Sequence, residues 1–243
     1  MNLFYVPDIE KSLFLPEEES AHAVKVLRMK SGDNIRLIDG KGGFYEAEIT
    51  NPHPKHCEVR IINKTSDFNK RNHYLHIAIA PTKNIERLEW FLEKATEIGI
   101  DEITPVVCRF SERKVIKPER LEKVIVSAMK QSVKAYLPRL NDICSFEEFL
   151  TSPSALSTGE GTLSRYIAHC YESEKKLLQQ IYTKGNNALI LIGPEGDFSQ
   201  EEVNAALQQN FMPISLGNSR LRTETAGVVA CHTINLLENS SLI

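Results

Sequence analysis

The sequence predicts an α/β protein in two parts, a small β-barrel followed by a parallel sheet with helices on both faces. Between Asn34 and Ile62 short runs alternate apolar and polar residues (NIRLID, FYEAEIT, CEVRIIN) and are separated by DGKGG and NPHPKH, the pattern of strands joined by turns. From His73 onward apolar runs alternate instead with amphipathic ones: YLHIAIA, NIERLEWFLEKATEIG, EITPVV, PERLEKVIVSAMKQS, RYIAHC, NALILIG, SQEEVNAALQQ, MPISLG. Strand and helix in alternation build a parallel sheet. The pattern changes across TSDFNKRNH, which sets a boundary near Asn69 to Asn72 and domains over residues 1–70 and 71–243.

Each element has its own signal. PEEESAHAVKVLRM puts Ala21, Val24, Leu27 and Arg28 at helical spacing behind three glutamates, and acids favour a helix N-terminus; this is the barrel's one helix. Trp90, inside the first long amphipathic segment, is expected in the core. The closing helix starts near Thr223 and carries Ala226, Val229, Ala230, Thr233, Leu236 and Leu237 on one stripe, with small residues suited to close packing. TSPSALSTGEG reads as a surface loop.

Composition narrows the function classes. A chain of 243 residues, 42% hydrophobic and 25% charged, has the material for two packed domains. No stretch approaches the roughly 20 apolar residues of a membrane span, and MNLFYVPDIEKSLF lacks the basic start and apolar run of a signal peptide, so the chain is read as cytosolic. Five scattered cysteines without a C-x-x-C suit free thiols in a reducing compartment. His53, His56 and Cys57 lack a second ligand pair, and no metal is expected. The net charge of −3 hides a basic segment from Arg109 to Arg139, with nine lysines and arginines against three glutamates. That segment is either a solvated helix face or a phosphate-facing surface.

Two strand–turn–helix edges are the candidate site. NALILIGPEGDFSQEEV ends a buried strand in Gly193-Pro194-Glu195-Gly196 and opens a helix through a Ser199/Glu202 capping box. MPISLGNSRLRTETA repeats the arrangement around Gly217. Ligands of open α/β sheets sit beyond the carboxyl ends of strands, although glycine and proline also mark plain tight turns. With neither G-x-G-x-x-G nor G-x-x-x-x-G-K-[ST] present, a pyrophosphate ligand is disfavoured. A planar heterocycle covered by Ile192, Leu216 and Leu221 fits better.

These motifs resemble the SPOUT-class RNA methyltransferases, specifically the small-subunit rRNA uracil-N3 methyltransferases of the RsmE family. HAVKVLRMKSGD and DGKGG are similar to that family's PUA-like barrel, ERLEWFLEKATEIGIDEITPV to a helix and following strand, and LIGPEGDFS and LGNSRLRTETA to its two cofactor turns. Asp197 stands where a second glycine is common, Ser219 where arginine is frequent, and Lys130 and Lys134 where glutamate and arginine are often seen. The resemblance implies a trefoil-knotted C-terminal domain, which topological rules alone do not propose. It implies S-adenosylmethionine at the knot, a homodimer, and 16S rRNA or the assembled small subunit as substrate. The implied cofactor residues are Ile192, Gly193, Pro194, Glu195, Gly196, Leu216, Gly217, Leu221, Arg222, Thr223 and Thr225. Candidate RNA contacts are Arg28, Lys83, Arg113, Lys130 and Lys134. His22 touches RNA or packs, and Lys94 with Glu97 forms a salt-bridged face or an RNA groove.

Methylating N3 of uridine requires an exposed base, removal of the N3 proton and stabilisation of the resulting anion. Arg222 is permanently cationic and suits the last role. Glu224 either accepts the proton or, in a first helical turn, complements the dipole and pairs with an arginine. The rival classes are a non-catalytic RNA-binding factor and a small-molecule enzyme on a flavodoxin-like sheet.

Overall fold

The computed structural model describes residues 2–152 and 162–240; the expected surface loop lies outside them from residue 153 on. The chain divides into two compact units, one formed up to Lys70 together with Val126–Leu137, the other by Arg71–Ile125 and the chain from Pro138. A single cut near residue 70 does not capture the return of 126–137. It belongs with the first unit because Met129 and Ala135 are buried there with Leu3, Ile38 and Phe44.

In the N-terminal unit β1 (Leu3–Tyr5) runs parallel to β2 (Asn34–Ile38), which pairs antiparallel with β3 (Phe44–Asn51), and β3 with β4 (Glu58–Thr65). The DGKGG turn is tightened by Asp39, whose Oδ1 accepts from the Lys41 and Gly43 amides at 2.7 and 2.9 Å. Residues 13–15 extend the sheet past β4, the Leu15 amide donating to Cys57 O and the Val59 amide to Leu13 O. Phe4, Ile9, Leu37, Ala47, Ile49 and Val59 fill the interior. The expected helix is shorter than its pattern: α1 (Glu17–Ala21) continues only as a π-wound turn over His22–Val26. Ser20 in α1 and Ala23 in the π-wound turn face inward, Val26 and Leu27 stay exposed, and Arg28 follows at φ +56°.

The second unit runs β5 (Leu75–Ile79), α2 (Ile85–Ile98), β6 (Glu102–Val107), α3 (Pro118–Gln131, shared between the units), β7 (Arg139–Leu140), β8 (Cys144–Ser145), α4 (Phe146–Thr151) and β9 (Leu163–Ala168). It continues with β10 (Lys176–Leu177), α5 (Leu178–Ile181), β11 (Asn187–Ile192), α6 (Gln200–Gln208), β12 (Met212–Ser215) and α7 (Thr223–Asn239). The strands lie in the order β10-β12-β9-β11-β5-β6-β7, with β8 also on β6, and every pairing is parallel. Strands β5 and β11 are buried at every residue, as unbroken apolar runs in a covered parallel sheet should be. Strand β11 enters between β9 and β5, both laid down earlier in the chain.

Two expectations about helix faces fail. Trp90 is 43% exposed, not core, because α2 buries Leu88, Phe91, Leu92 and Ala95, and position 90 points away from that stripe at roughly 100° per residue. In α7 the buried apolar stripe is Gly227, Ala230, Cys231 and Ile234, while Leu236 is 56% exposed. Gly227 decides this: a Cβ there would meet the Phe91 ring at 2.6 Å and Ile79 Cδ1 at 3.1 Å, so the helix seats on its glycine. Among the described residues no helix is long and apolar enough to cross a membrane.

Candidate active site

The loops following β9, β11 and β12 meet around a cavity of about 690 Å3 at the carboxyl ends of those strands. Of the sequence-predicted cofactor residues, Ile192, Gly193, Pro194, Glu195, Leu216, Gly217, Leu221, Arg222 and Thr223 all line it. The two glycine turns therefore wall one space.

The first wall is held by its own protein. Gly193 is required by Phe198, whose ring would sit 2.9 Å from an added Cβ, and Gly196 by Phe110, whose Cβ would lie 3.0 Å away. Both glycines are demanded by internal packing; Gly193 also lines the cavity, and Gly196 is not among the lining residues. Thr223 donates its hydroxyl to Gly193 O at 3.0 Å and so ties the turn to α7. The Lys83 amide donates to Glu195 Oε1 at 3.0 Å. Asp197 sits at φ +67°, a left-handed conformation that aspartate tolerates better than most residues. Its carboxylate accepts from the Cys170 and Phe198 amides at 2.8 and 2.9 Å. A glycine there would relax the backbone and lose both caps.

The second wall is open. Gly217 has φ +128° with nothing within 4 Å of an added Cβ, so backbone conformation alone demands glycine. Ser215 shapes the turn by accepting from the Gly217 amide and donating to Gly217 O. Arg220 and Arg222 are exposed, line the cavity, and among the described residues neither guanidinium has a hydrogen-bond or ion-pair partner. Arg222 is the N-cap residue of α7, with Ala226 N donating to its carbonyl at 2.8 Å. Arg222 and Ala226, one turn apart, face the cavity. Glu224 and Thr225 turn off that face and do not line it. The Glu224 side chain is 8% exposed, with Oε1 3.8 Å from Arg87 Nε on α2, and its Oε2 is buried with no partner among the described residues.

A third wall, Ala168–Cys170 with Lys175, escaped the sequence reading. RYIAHC has a strand's pattern, but only the pairing of β9 with both β11 and β12 reveals that its end faces the same space. Burial and the Asp197 carboxylate push the Cys170 thiol upward, against the Arg220 and Lys175 charges.

The candidate RNA contacts are differently engaged. In the second unit Arg113 donates through Nε to Thr82 O and through Nη2 to Lys83 O, and Lys83 Nζ pairs with Glu112 at 2.8 Å. These bonds fix the loop after β5. In the N-terminal unit Lys130 pairs with Glu19 at 2.5 Å and lies over the Phe4 ring, Lys134 is half-buried, and Arg28 and His22 are exposed. Lys94 forms the salt-bridged face with Glu93 and Glu97. The His53 and His56 rings stack at 5.8 Å, while Cys57 is buried in the core.

Residues 69–235 match the family model of the RNA methyltransferase domain, and residues 15–62 that of the RNA methyltransferase PUA domain. The chain is 29% identical over 228 residues to the ribosomal RNA small subunit methyltransferase E of Rickettsia conorii, spanning 92% of this chain and 89% of that one. Its fold matches a probable rRNA-methyltransferase from Porphyromonas gingivalis with TM-score 0.90 and 44% identity, over 99% of this chain and 100% of that one. It also matches ribosomal RNA small subunit methyltransferase E from Neisseria gonorrhoeae, a structure bound to S-adenosyl methionine, with TM-score 0.84 and 26% identity over 98% of each chain.

Proposed function

The chain belongs to the RNA methyltransferase domain family, and from that premise we propose that it methylates N3 of one uridine in 16S rRNA, using S-adenosylmethionine. The observation that carries this reading is the single cavity shared by the two glycine turns. Its size lies within the roughly 300–1,000 Å3 of small-molecule sites. Ile192, Ile214, Leu216, Leu221 and Ala226 supply apolar walls for a planar ring, and the turns supply backbone groups for its edges. Those residues fit an adenosyl group. When bound, the cofactor supplies an electrophilic methyl on a sulfonium.

The rest falls to the chain's own residues. Uridine N3 is hidden in a duplex, so the base must be single-stranded or extruded to reach the cavity. Arg222, whose guanidinium has no partner among the described residues, stabilises the negative charge that spreads onto the uracil oxygens as the N3 proton leaves. Arg220 on the same wall is placed to hold a flanking phosphate. Glu224, buried beside Arg87, is better suited to anchoring α7 on α2 than to accepting a proton. The exposed Trp90 and Leu236 support a homodimer, and the entry of β11 between β9 and β5 supports the knotted path. An intact cavity favours an enzyme over a non-catalytic RNA-binding factor. The test is transfer of tritiated methyl from S-adenosylmethionine to small subunits from cells lacking the gene, with the product nucleoside identified by mass spectrometry. N3-methyluridine in 16S rRNA is expected; label confined to protein, small molecules or another nucleoside overturns the proposal.

A further inference from the structure

The third cavity wall carries a side chain that the chemistry above does not use. His169 directly follows β9, lines the cavity, and is only 8% exposed. Its Nδ1 is buried and has no hydrogen-bond partner among the described residues. Among the described residues that line the cavity, no other side chain carries such an atom. Buried polar atoms are nearly always satisfied, and an exception inside a binding cavity points to a partner that arrives with the ligand.

The surroundings hold this wall in place while leaving that nitrogen alone. Lys175 Nζ donates to His169 O at 2.8 Å and to Tyr171 O at 2.6 Å. The next residue, Cys170, donates its amide to Asp197 on the first wall at 2.8 Å. The Tyr171 ring lies 5.9 Å from the imidazole, and its hydroxyl donates to Phe198 O at 2.8 Å. The loop is therefore pinned on three sides before any ligand binds.

The charge state of the ring narrows the partner. Burial first, then the Lys175 ammonium, push the His169 pKa below its usual value against the opposing pull of Asp197, which favours the neutral ring. A neutral imidazole offers one N–H and one lone pair and no charge. It matches an uncharged polar edge. The ionic parts of a ligand are better met by Arg220, Arg222 or Glu195 on the other walls.

We propose that His169 Nδ1 hydrogen-bonds the uncharged nucleoside half of the adenosyl ligand, at an adenine edge or a ribose hydroxyl, and is a specificity-determining residue of this cavity. This rests on the cofactor reading above. The experiment uses the full chain, titrated calorimetrically with S-adenosylmethionine and with 5′-methylthioadenosine, which lacks the amino-acid half. His169→Ala should weaken both by about tenfold and by the same factor. His169→Asn, which retains a short polar arm, should recover most of the affinity for both. In the unaltered protein, the 15N resonance of His169 Nδ1 should move when methylthioadenosine saturates the site, a readout independent of how well the variants fold. Wild-type affinity in His169→Ala, a loss confined to the complete cofactor, or an unmoved Nδ1 resonance at saturation overturns the inference while leaving cofactor binding intact. Failure of the unaltered chain to bind either probe removes the cofactor reading itself, and this inference with it.

Discussion

Between Gly193 and Phe198 the chain is held from several directions, by the Thr223 hydroxyl on Gly193 O, the Lys83 amide on Glu195, the Asp197 caps, and Tyr171 on Phe198 O. Between Gly217 and Arg222 the chain is held by the reciprocal Ser215–Gly217 pair and by the Ala226 amide on Arg222 O, and five of the six residues are exposed. Both loops follow a strand and precede a helix, yet one is fixed scaffold and the other presents arginines whose guanidinium groups have no partner among the described residues. The difference teaches how a site can be preorganised and reactive at once: the first wall sets the shape, and the second supplies the charge.

The sharpest way to break this contrast is Arg222→Ala. Turnover should fall well over tenfold, a loss above about 1.4 kcal/mol in transition-state stabilisation, with Tm unchanged because the guanidinium has no partner among the described residues. Steady-state kinetics and thermal unfolding on the same sample decide it; a fall in Tm means the second wall is not free. Gly193→Ala attacks the other wall. Its Cβ would lie 2.9 Å from the Phe198 ring and 3.3 Å from the Phe198 amide nitrogen, so denaturant unfolding should register about 1–3 kcal/mol of overpacking, and cofactor affinity should fall with it. Unchanged stability would show that the first wall yields as readily as the second.

Gly217→Ala is gentler. There is room for the methyl, and the cost is only the strain of φ +128°, about 1–2 kcal/mol. If the loop relieves that strain by moving, methyl transfer should drop more than stability does, which kinetics against unfolding free energy will separate.

The smallest effect is titration. Burial depresses the pKa values of His73 and His169 below the usual 6.5. The unfolded chain therefore binds more protons below that pH, and stability rises with pH there. The contribution is present above about 6.5 and is lost as pH falls from 6.5 through the depressed values. Unfolding midpoints measured down that range should decline, and His169→Asn should flatten part of the decline.

Much of the fold was legible because its signals are local. The unbroken apolar runs of β5 and β11, the Ser199/Glu202 capping box and the alternation in β2 and β3 depend on neighbours in the chain. Both glycine turns were found for the same reason. The reasons for their glycines were not: Gly193 answers to Phe198, a distance within the folded loop, and only Gly217 reflects a demand of its own backbone. Helix faces were misjudged where close packing outweighed hydrophobicity, as when Gly227 seated α7 against Phe91 and left Leu236 outside.

Residue order by itself determined the two-part division of patterns, the parallel sheet and the two glycine turns, the second carrying Arg222, because hydrophobic periodicity and turn chemistry are properties of short segments. Tertiary structure alone decided that β11 lies beside β9, that His169 thereby joins the cavity, and that Glu224 faces Arg87 and does not line the cavity. Those outcomes depend on strand order and on the rotation of one helix against another. Both are settled by contacts between residues far apart in the chain, which no local pattern encodes.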